Sequence, residues 1–295
     1  MPVRSRRPTA AQWLAGTRPR TLPAAIAPVL AGTGVAATTN QVVWWKALLA
    51  LVVALGLQVG VNYANDYSDG VRGTDADRVG PLRLVGSGVA DPGVVRAAAV
   101  ASFGVAVVAG GVLAVTTDWK LLVVGALAVA AAWTYTGGPW PYGYHALGEV
   151  SVFLFFGLVA VLGTAYVQTR AVTGTGLAVA AAMGGFAGAI LVANNLRDVA
   201  SDGRAGKRTL AVVLGVRRTQ VVFGGLLALP FVACLSVAGT HPGALVALGS
   251  LPLIVASVRR LAGGATGLAL VAVLRDTARA ELGYAILLAV GLALR

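Results

Sequence analysis

The sequence predicts an all-α membrane protein, with nine transmembrane helices around a central cavity and the N-terminus in the cytoplasm. Three observations lead there. Of 295 residues, 57% are hydrophobic and only 12% charged, about half the charged share of a soluble domain. So apolar a chain has too much surface to hide to stay disordered, and too few charges to cover a water-soluble globule. Apolar runs of bilayer-crossing length recur from residue 21 onward, and the basic residues alternate between the connections.

Residues 1–20 form a basic cytoplasmic segment carrying Arg4, Arg6, Arg7, Arg18 and Arg20, with no small-residue cleavage pattern of a signal peptide. The rest, 21–295, is one transmembrane domain. Runs of about 17–25 mainly apolar residues qualify as spans. They fall at 21–38, 43–65, 94–116, 120–136, 149–168, 174–196, 219–239, 243–258 and 278–294. The stretch 265–274 is apolar but short, and reads as a surface or re-entrant segment. Gly104, Gly110 and Gly111 in the third span read as positions where helix backbones approach closely. The single cysteine, Cys234, excludes a disulfide framework and a Cys-based metal site, and reads as a small buried packing residue.

Orientation follows from the basic residues. With the N-terminus inside, the inner segments hold 19 of the 23 Lys and Arg, among them Arg72, Arg83, Arg197, Lys207 and Arg208. The outer side keeps Lys46, Lys120, Arg170 and Arg295. The net charge of +12 therefore serves a bilayer and an anionic small molecule, with no nucleic acid implied.

The eleven acids are more informative. Asp66, Asp69, Asp75 and Asp77 follow one apolar run, and Asp198 and Asp202 follow another, both on the inner side. Asn62, Asp66 and Asp69 stand at i, i+4 and i+7, and Asn194, Asp198 and Asp202 at i, i+4 and i+8, so each set shares a helix face. Two copies of one device suggest an internal duplication whose arms converge on one cavity. Clustered carboxylates repel, and their burial beside a bilayer is costly unless a cation joins them. Asp and Asn oxygens suit Mg²⁺, which keeps water and shares phosphate oxygens. Arg72, Lys207 and Arg208 follow these arms and are placed to hold the remaining phosphate oxygens. Asp75 and Asp77 read equally as loop-solvating residues.

The pair Asn65-Asp66-x-x-Asp69 and Asp198-x-x-x-Asp202 resembles the two Asp-rich motifs of the UbiA superfamily of intramembrane aromatic prenyltransferases, a nine-helix family. Further stretches are similar to the branch that prenylates 1,4-dihydroxy-2-naphthoate in menaquinone synthesis. They are Arg18-Pro19-Arg20-Thr21-Leu22-Pro23, Asn62 through Asp75, Tyr135-Thr136-Gly137-Gly138-Pro139, Pro141-Tyr142-Gly143-Tyr144, Gly163 through Gln168, and Asn194 through Gly215. Val79 through Val85, with Ser87-Gly88, resembles actinobacterial members. The resemblance runs from about residue 13 to about 290. One departure is Trp140, where relatives often carry a cation between two prolines; Trp140 reads as an interfacial anchor.

The resemblance implies transfer of a polyprenyl group from polyprenyl diphosphate to 1,4-dihydroxy-2-naphthoate, with loss of diphosphate and CO₂, at a plasma-membrane site facing the cytoplasm. It implies Mg²⁺ on Asp66, Asp69, Asp198 and Asp202, with Lys207 among the catalytic groups. Asn62, Asn65 and Asn194 would orient carboxylates or contact phosphate, while Arg72, Lys207 and Arg208 clamp the leaving group. Ring faces of Tyr63, Tyr135, Phe156 and Tyr166 would line the allylic cation. Arg20 and Arg83 are candidates for the acceptor carboxylate, and read equally as lipid-headgroup contacts. His145 reads as a solvated loop residue and His241 lies on the outer side. Within the family, 4-hydroxybenzoate, haem and lipid acceptors are the alternatives. An ion-coupled transporter would place its acids near the midplane, whereas here they gather at one face.

Overall fold

The computed structural model describes residues 8–74 and 82–294. Among them the chain is helical throughout, with no strand and one isolated bridge between His145 and Arg208. In chain order the helices are α1 (Ala10–Gly16), α2 (Pro23–Ala37), α3 (Trp44–Arg72), α4 (Pro92–Thr116), α5 (Leu121–Thr134), α6 (Gly148–Val152) and α7 (Ala160–Thr169). They continue with α8 (Gly174–Arg204), α9 (Leu210–Leu214), α10 (Val216–Ala238), α11 (Leu251–Ala262) and α12 (Ala269–Ala293). A π-helical stretch, Phe153–Val159, joins α6 to α7 into one rod, and a 3₁₀ stretch, Pro242–Ser250, runs into α11. Asp75, Asp77 and Arg78, and the N-terminal Arg4, Arg6 and Arg7, lie outside the described residues, as does Arg295.

Each run read as a span falls on one of these helical segments. Among the described residues six segments are long and apolar enough to cross a membrane, with mean hydropathies from 1.6 to 2.3. Helix α2 has 15 residues and α5 has 14. At about 1.5 Å per residue they reach roughly 22 Å, short of a ~30 Å hydrocarbon core. The last helix differs from the sequence reading. It begins at Ala269 and takes in 269–274 of the stretch 265–274 read as a surface or re-entrant segment, leaving 265–268 in the connection before it. Arg275, Asp276 and Arg279 interrupt the apolar run without breaking the helix, because Asp276 pairs with Arg260 of α11 (3.1 Å) and with Arg275 (3.0 Å).

Two helices overrun their apolar segments, and this builds the site. Helix α3 continues through both aspartates to Arg72 and is closed by Gly73 in the left-handed region (φ 72°), whose N–H donates to the Asp69 carbonyl. Helix α8 continues through Asp198 and Asp202 to Arg204. The helical spacing read from the sequence is thus retained past the end of the apolar residues.

Helix α8 is the inner rod, flanked by α10, α12 and the 148–169 rod. Around it Phe186, Met183, Leu227, Val273 and Tyr284 form the main core, into which Cys234 fits as a buried residue. The closest crossing brings Gly243 against Gly291. A Cβ on either would stand 2.0–2.1 Å from the other's carbonyl oxygen, so only hydrogen fits there. Gly104, Gly110 and Gly111 are not such positions: no atom lies within 3.4 Å of a Cβ placed at any of them. Helix α4 packs chiefly on α3, and on α5, and leaves Val105, Val107, Val108 and Val112 exposed.

Candidate active site

A cavity of about 360 Å³ opens between α2, α3, α5, the 148–169 rod and α8. Its far end is apolar, walled by Val29, Ala50, Leu113, Leu121 and Val167. Its other end is where α3 and α8 finish, and there the lining turns polar: Asn62, Asn65 and Asp69 from α3 face Asn194, Asn195, Asp198 and Asp202 from α8. Three connections close this end: the turn 82–90, the loop 135–147 and residues 205–209.

Asp69 is the centre of the network. Its Oδ1 accepts from the Tyr144 hydroxyl at 2.6 Å and lies 3.1 Å from Lys207 Nζ, while Oδ2 lies 3.5 Å from Arg83. Lys207 Nζ also sits over the Tyr144 ring, 4.7 Å from its centroid. Burial and the neighbouring Asp69 carboxylate push the Tyr144 phenol above its ordinary value, which keeps it a proton donor. Across the cavity Arg197 embraces the Asp198 carboxylate through Nε (2.7 Å) and Nη2 (2.6 Å), and Nη2 also donates to Asn194 Oδ1 (2.8 Å). Asn195 donates to Glu149 Oε1 at 2.8 Å. Asn65 accepts from the Thr136 hydroxyl (2.7 Å), and Asn62 donates to the Thr17 carbonyl (2.9 Å).

Several residues read from the sequence as one group are separated by the structure. Asp69, Asp198, Asp202, Lys207, Arg83, the three asparagines, Tyr135 and Phe156 all line the cavity. Asp66 does not: its two oxygens accept the backbone N–H groups of Leu84 (2.7 Å) and Val85 (3.0 Å). Arg72 donates to the carbonyls of Thr136 and Gly138, so it fastens the loop after α5. Arg208 is exposed and contributes its backbone N–H to the Tyr144 carbonyl (2.9 Å). Tyr63 turns to Trp13, donating to its carbonyl at 3.0 Å. Tyr166 lies at the opposite end and donates to Asp118 at 2.7 Å. There the Lys120 backbone N–H, followed by this hydroxyl, holds the Asp118 carboxyl below its ordinary value. Arg20 is exposed, whereas Arg18 lines the cavity. Trp140 is 58% exposed and stacks on His145 at 4.4 Å, in keeping with a surface anchor.

The sequence reading passed over Arg18, Tyr144, Asn195 and Arg197 as site residues. Tyr144 lies inside the Pro141–Tyr144 motif, and Asn195 directly follows the candidate Asn194. Arg18 and Arg197 also lie inside the quoted stretches but carry no site role in the sequence reading; nothing in their spacing separates a cation that turns inward from one that meets headgroups.

The donor set fits a hard divalent cation. Asp69, Asp198 and Asp202 offer carboxylates and the asparagines offer amide oxygens, with no soft ligand among the described residues at this end. Among the described residues no three acidic or imidazole groups close on one point. A magnesium ion would therefore take few ligands from each arm and complete its shell with water and phosphate oxygens, its ordinary habit.

Residues 25–274 match the UbiA prenyltransferase family. The chain is 53% identical to 1,4-dihydroxy-2-naphthoate octaprenyltransferase of Mycobacterium tuberculosis (strain ATCC 25618 / H37Rv) over 283 residues, 96% of this chain and 97% of that one. It is 41% identical to the protein of the same name from Escherichia coli (strain K12), over 69% and 68% of the two chains. Among solved structures, a UbiA homologue from Aeropyrum pernix K1 shares the fold with a TM-score of 0.68 at 16% identity, covering 91% of this chain and 96% of that one. A UbiA homologue from Archaeoglobus fulgidus bound to GPP and Mg²⁺ gives 0.64 at 16% identity, covering 94% and 99%. By the extent of the family match and by these identities, the chain belongs to the UbiA prenyltransferase family.

Proposed function

We propose that this chain transfers a polyprenyl group from polyprenyl diphosphate to 1,4-dihydroxy-2-naphthoate, releasing diphosphate and CO₂ to give the quinol form of demethylmenaquinone. The observation that carries the reading is the two-part cavity, with acids and cations at one end and an apolar slot along the rest. An allylic diphosphate has the same division. The choice of acceptor is supported by the name borne by the relative that shares 53% of its residues over nearly the whole chain.

Asp69, Asp198 and Asp202, with amide oxygens of Asn62, Asn65 and Asn194, are the residues that would hold Mg²⁺. When bound, the ion neutralises charge gathering on the departing diphosphate. Lys207, already fixed between Asp69 and the Tyr144 ring, donates to a free phosphate oxygen. Tyr144 and the Asp69 carboxylate keep that ammonium aimed. Arg18 and Arg83 supply the further cations that the acceptor carboxylate and the diphosphate require. Tyr135, Phe155 and Phe156 turn aromatic surface to the slot, and their ring faces shelter the allylic cation from water. The new bond forms at the ring carbon that carries the carboxylate, which leaves as CO₂. Nine crossings, a cytoplasmic N-terminus and a plasma-membrane site open to the cytoplasm fit the positive-inside distribution.

The test is an acceptor panel on the purified protein in nanodiscs with radiolabelled polyprenyl diphosphate. Dihydroxynaphthoate should yield labelled lipid and stoichiometric CO₂ in the presence of Mg²⁺. Preference for 4-hydroxybenzoate, or product without CO₂, would sink the acceptor assignment.

A further inference from the structure

Asp66 is 1% exposed and stands on the helix that carries Asp69, yet it is absent from the cavity wall. Both its oxygens are engaged by consecutive backbone N–H groups, Leu84 at 2.7 Å and Val85 at 3.0 Å. A carboxylate taking two main-chain donors is a strong, directional anchor. The anchored turn is shaped to receive it. Ala90 N–H returns to the Leu84 carbonyl at 2.9 Å, and the Ser87 hydroxyl donates to the Arg83 carbonyl. Leu84 is fully buried in a cluster with Tyr63, Val95, Ala99 and Phe103. Val85 lies so close to Gly70, one turn beyond Asp66, that a Cβ on Gly70 would meet Val85 Cγ1 at 2.4 Å. The residue just before the anchored pair is Arg83, 9% exposed, with Nη2 3.5 Å from Asp69 Oδ2 and its side chain on the cavity wall.

We propose that Asp66 is a positioning residue that clamps the turn 82–90 onto α3 and so seats Arg83 at the polar end of the cavity, where Arg83 binds an anionic group of a substrate. The acceptor carboxylate and the donor phosphate share that chemistry. The inference rests on the reading of this cavity as a prenyl-transfer site only for the substrate step; the clamp itself is measured without substrate.

The first measurement needs no variant. In the wild-type protein in detergent, residue-resolved hydrogen exchange, corrected for intrinsic rates, should find the Leu84 and Val85 amides protected at least about tenfold over that of Gly86, an exposed residue of the same turn whose N–H has no hydrogen-bond partner among the described residues. Equal exchange overturns the clamp. Asp66→Ala should then raise tryptic cleavage at the Arg83–Leu84 bond by about 10- to 100-fold, the loss of hydrogen bonds to a charged acceptor, with Asp66→Asn intermediate. Gly70→Ala, which touches no carboxylate, should loosen the same turn. In turnover, Asp66→Asn, Gly70→Ala and Arg83→Ala should each raise the KM of one substrate more than they lower kcat. Separate titration of the two substrates identifies which anion Arg83 holds, and the double variant Asp66→Asn/Arg83→Ala should add little. Mn²⁺ binding followed by electron paramagnetic resonance should be near wild type in Asp66→Asn and weakened in Asp69→Asn. Loss of Mn²⁺ binding in Asp66→Asn with the Arg83–Leu84 bond still protected would make Asp66 a metal ligand and overturn the proposal. So would a kcat loss with both KM values unchanged.

Discussion

Replacing Tyr144 with Phe removes one oxygen from the centre of the site and nothing else. The ring that Lys207 rests on at 4.7 Å and that Arg72 approaches at 5.6 Å remains. What is lost is the 2.6 Å hydrogen bond to Asp69 Oδ1, on a carboxylate only 3% exposed. Hydrogen bonds to charged groups are worth about 1.5–3 kcal/mol. With tenfold in rate for each ~1.4 kcal/mol, kcat/KM should fall about 10- to 150-fold if Asp69 is used in the transition state. Tyr144→Ala should lose more, because the cation–π contacts go as well, each about 0.5–2 kcal/mol. Steady-state turnover of both variants, with Mg²⁺ and both substrates saturating in turn, makes the comparison. Wild-type turnover in Tyr144→Phe, or equal loss in the two variants, would refute the placement of this hydroxyl at the working carboxylate. The pH dependence gives a second reading. The folded-state pKa of Tyr144 is raised, so its contribution to stability is complete below the unfolded value of about 10 and is lost as pH climbs toward the folded value. Thermal melts above about pH 10 should fall less steeply in Tyr144→Phe than in wild type.

Three further outcomes follow from the same geometry. Asp198→Asn leaves the Arg197 guanidinium, 4% exposed at its side chain, without its bidentate partner, and breaking a buried pair costs about 3–5 kcal/mol; turnover should be abolished and the melting temperature in detergent lowered. Val167→Trp fills the apolar far end of the cavity and, at about 1–3 kcal/mol for overpacking, should raise the KM of long polyprenyl diphosphates while sparing geranyl diphosphate in a donor-length panel. Gly291→Val drives a side chain into the Gly243 carbonyl, 2.0 Å from the new Cβ, and should prevent accumulation of folded protein, read as loss of the monodisperse peak on size exclusion.

Both arms of the site were legible because helical spacing survives tertiary structure: Asn62 and Asp69 on α3, and Asn194, Asp198 and Asp202 on α8, do face one cavity. Asp66 shows where spacing stops being informative. At about 100° per residue, Asn65, Asn62 and Asp69 fall within roughly 60° of one another, and Asp66 lies about 60° beyond Asp69 on the flank. That difference is too small to separate by pattern, and the turn 82–90 decides it by supplying two N–H groups on that flank. Arg72 is decided likewise by the carbonyls of a loop more than sixty residues away. For Arg18 and Arg20 the outcome depends on Arg18 entering the left-handed region (φ 54°) before a 3₁₀ turn, which reverses the outward and inward cations. The onset of α12 at Ala269 escaped because three charges broke a hydropathy run that their pairing allows a helix to continue.

Two of the carboxylates at the mouth of the cavity are already balanced by the chain itself, Asp69 by Lys207 and Arg83, and Asp198 by Arg197. Much of the negative charge gathered there is thus offset within the chain. Newly made protein can therefore assemble in the bilayer before any ion arrives, and stripping the ion with a chelator should be reversible rather than denaturing. The same internal cations compete with a lone metal for the aspartates. A diphosphate, which draws Lys207 and Arg83 toward its own oxygens, relieves that competition as it enters. Donor and ion should thus load together, each tightening the hold on the other.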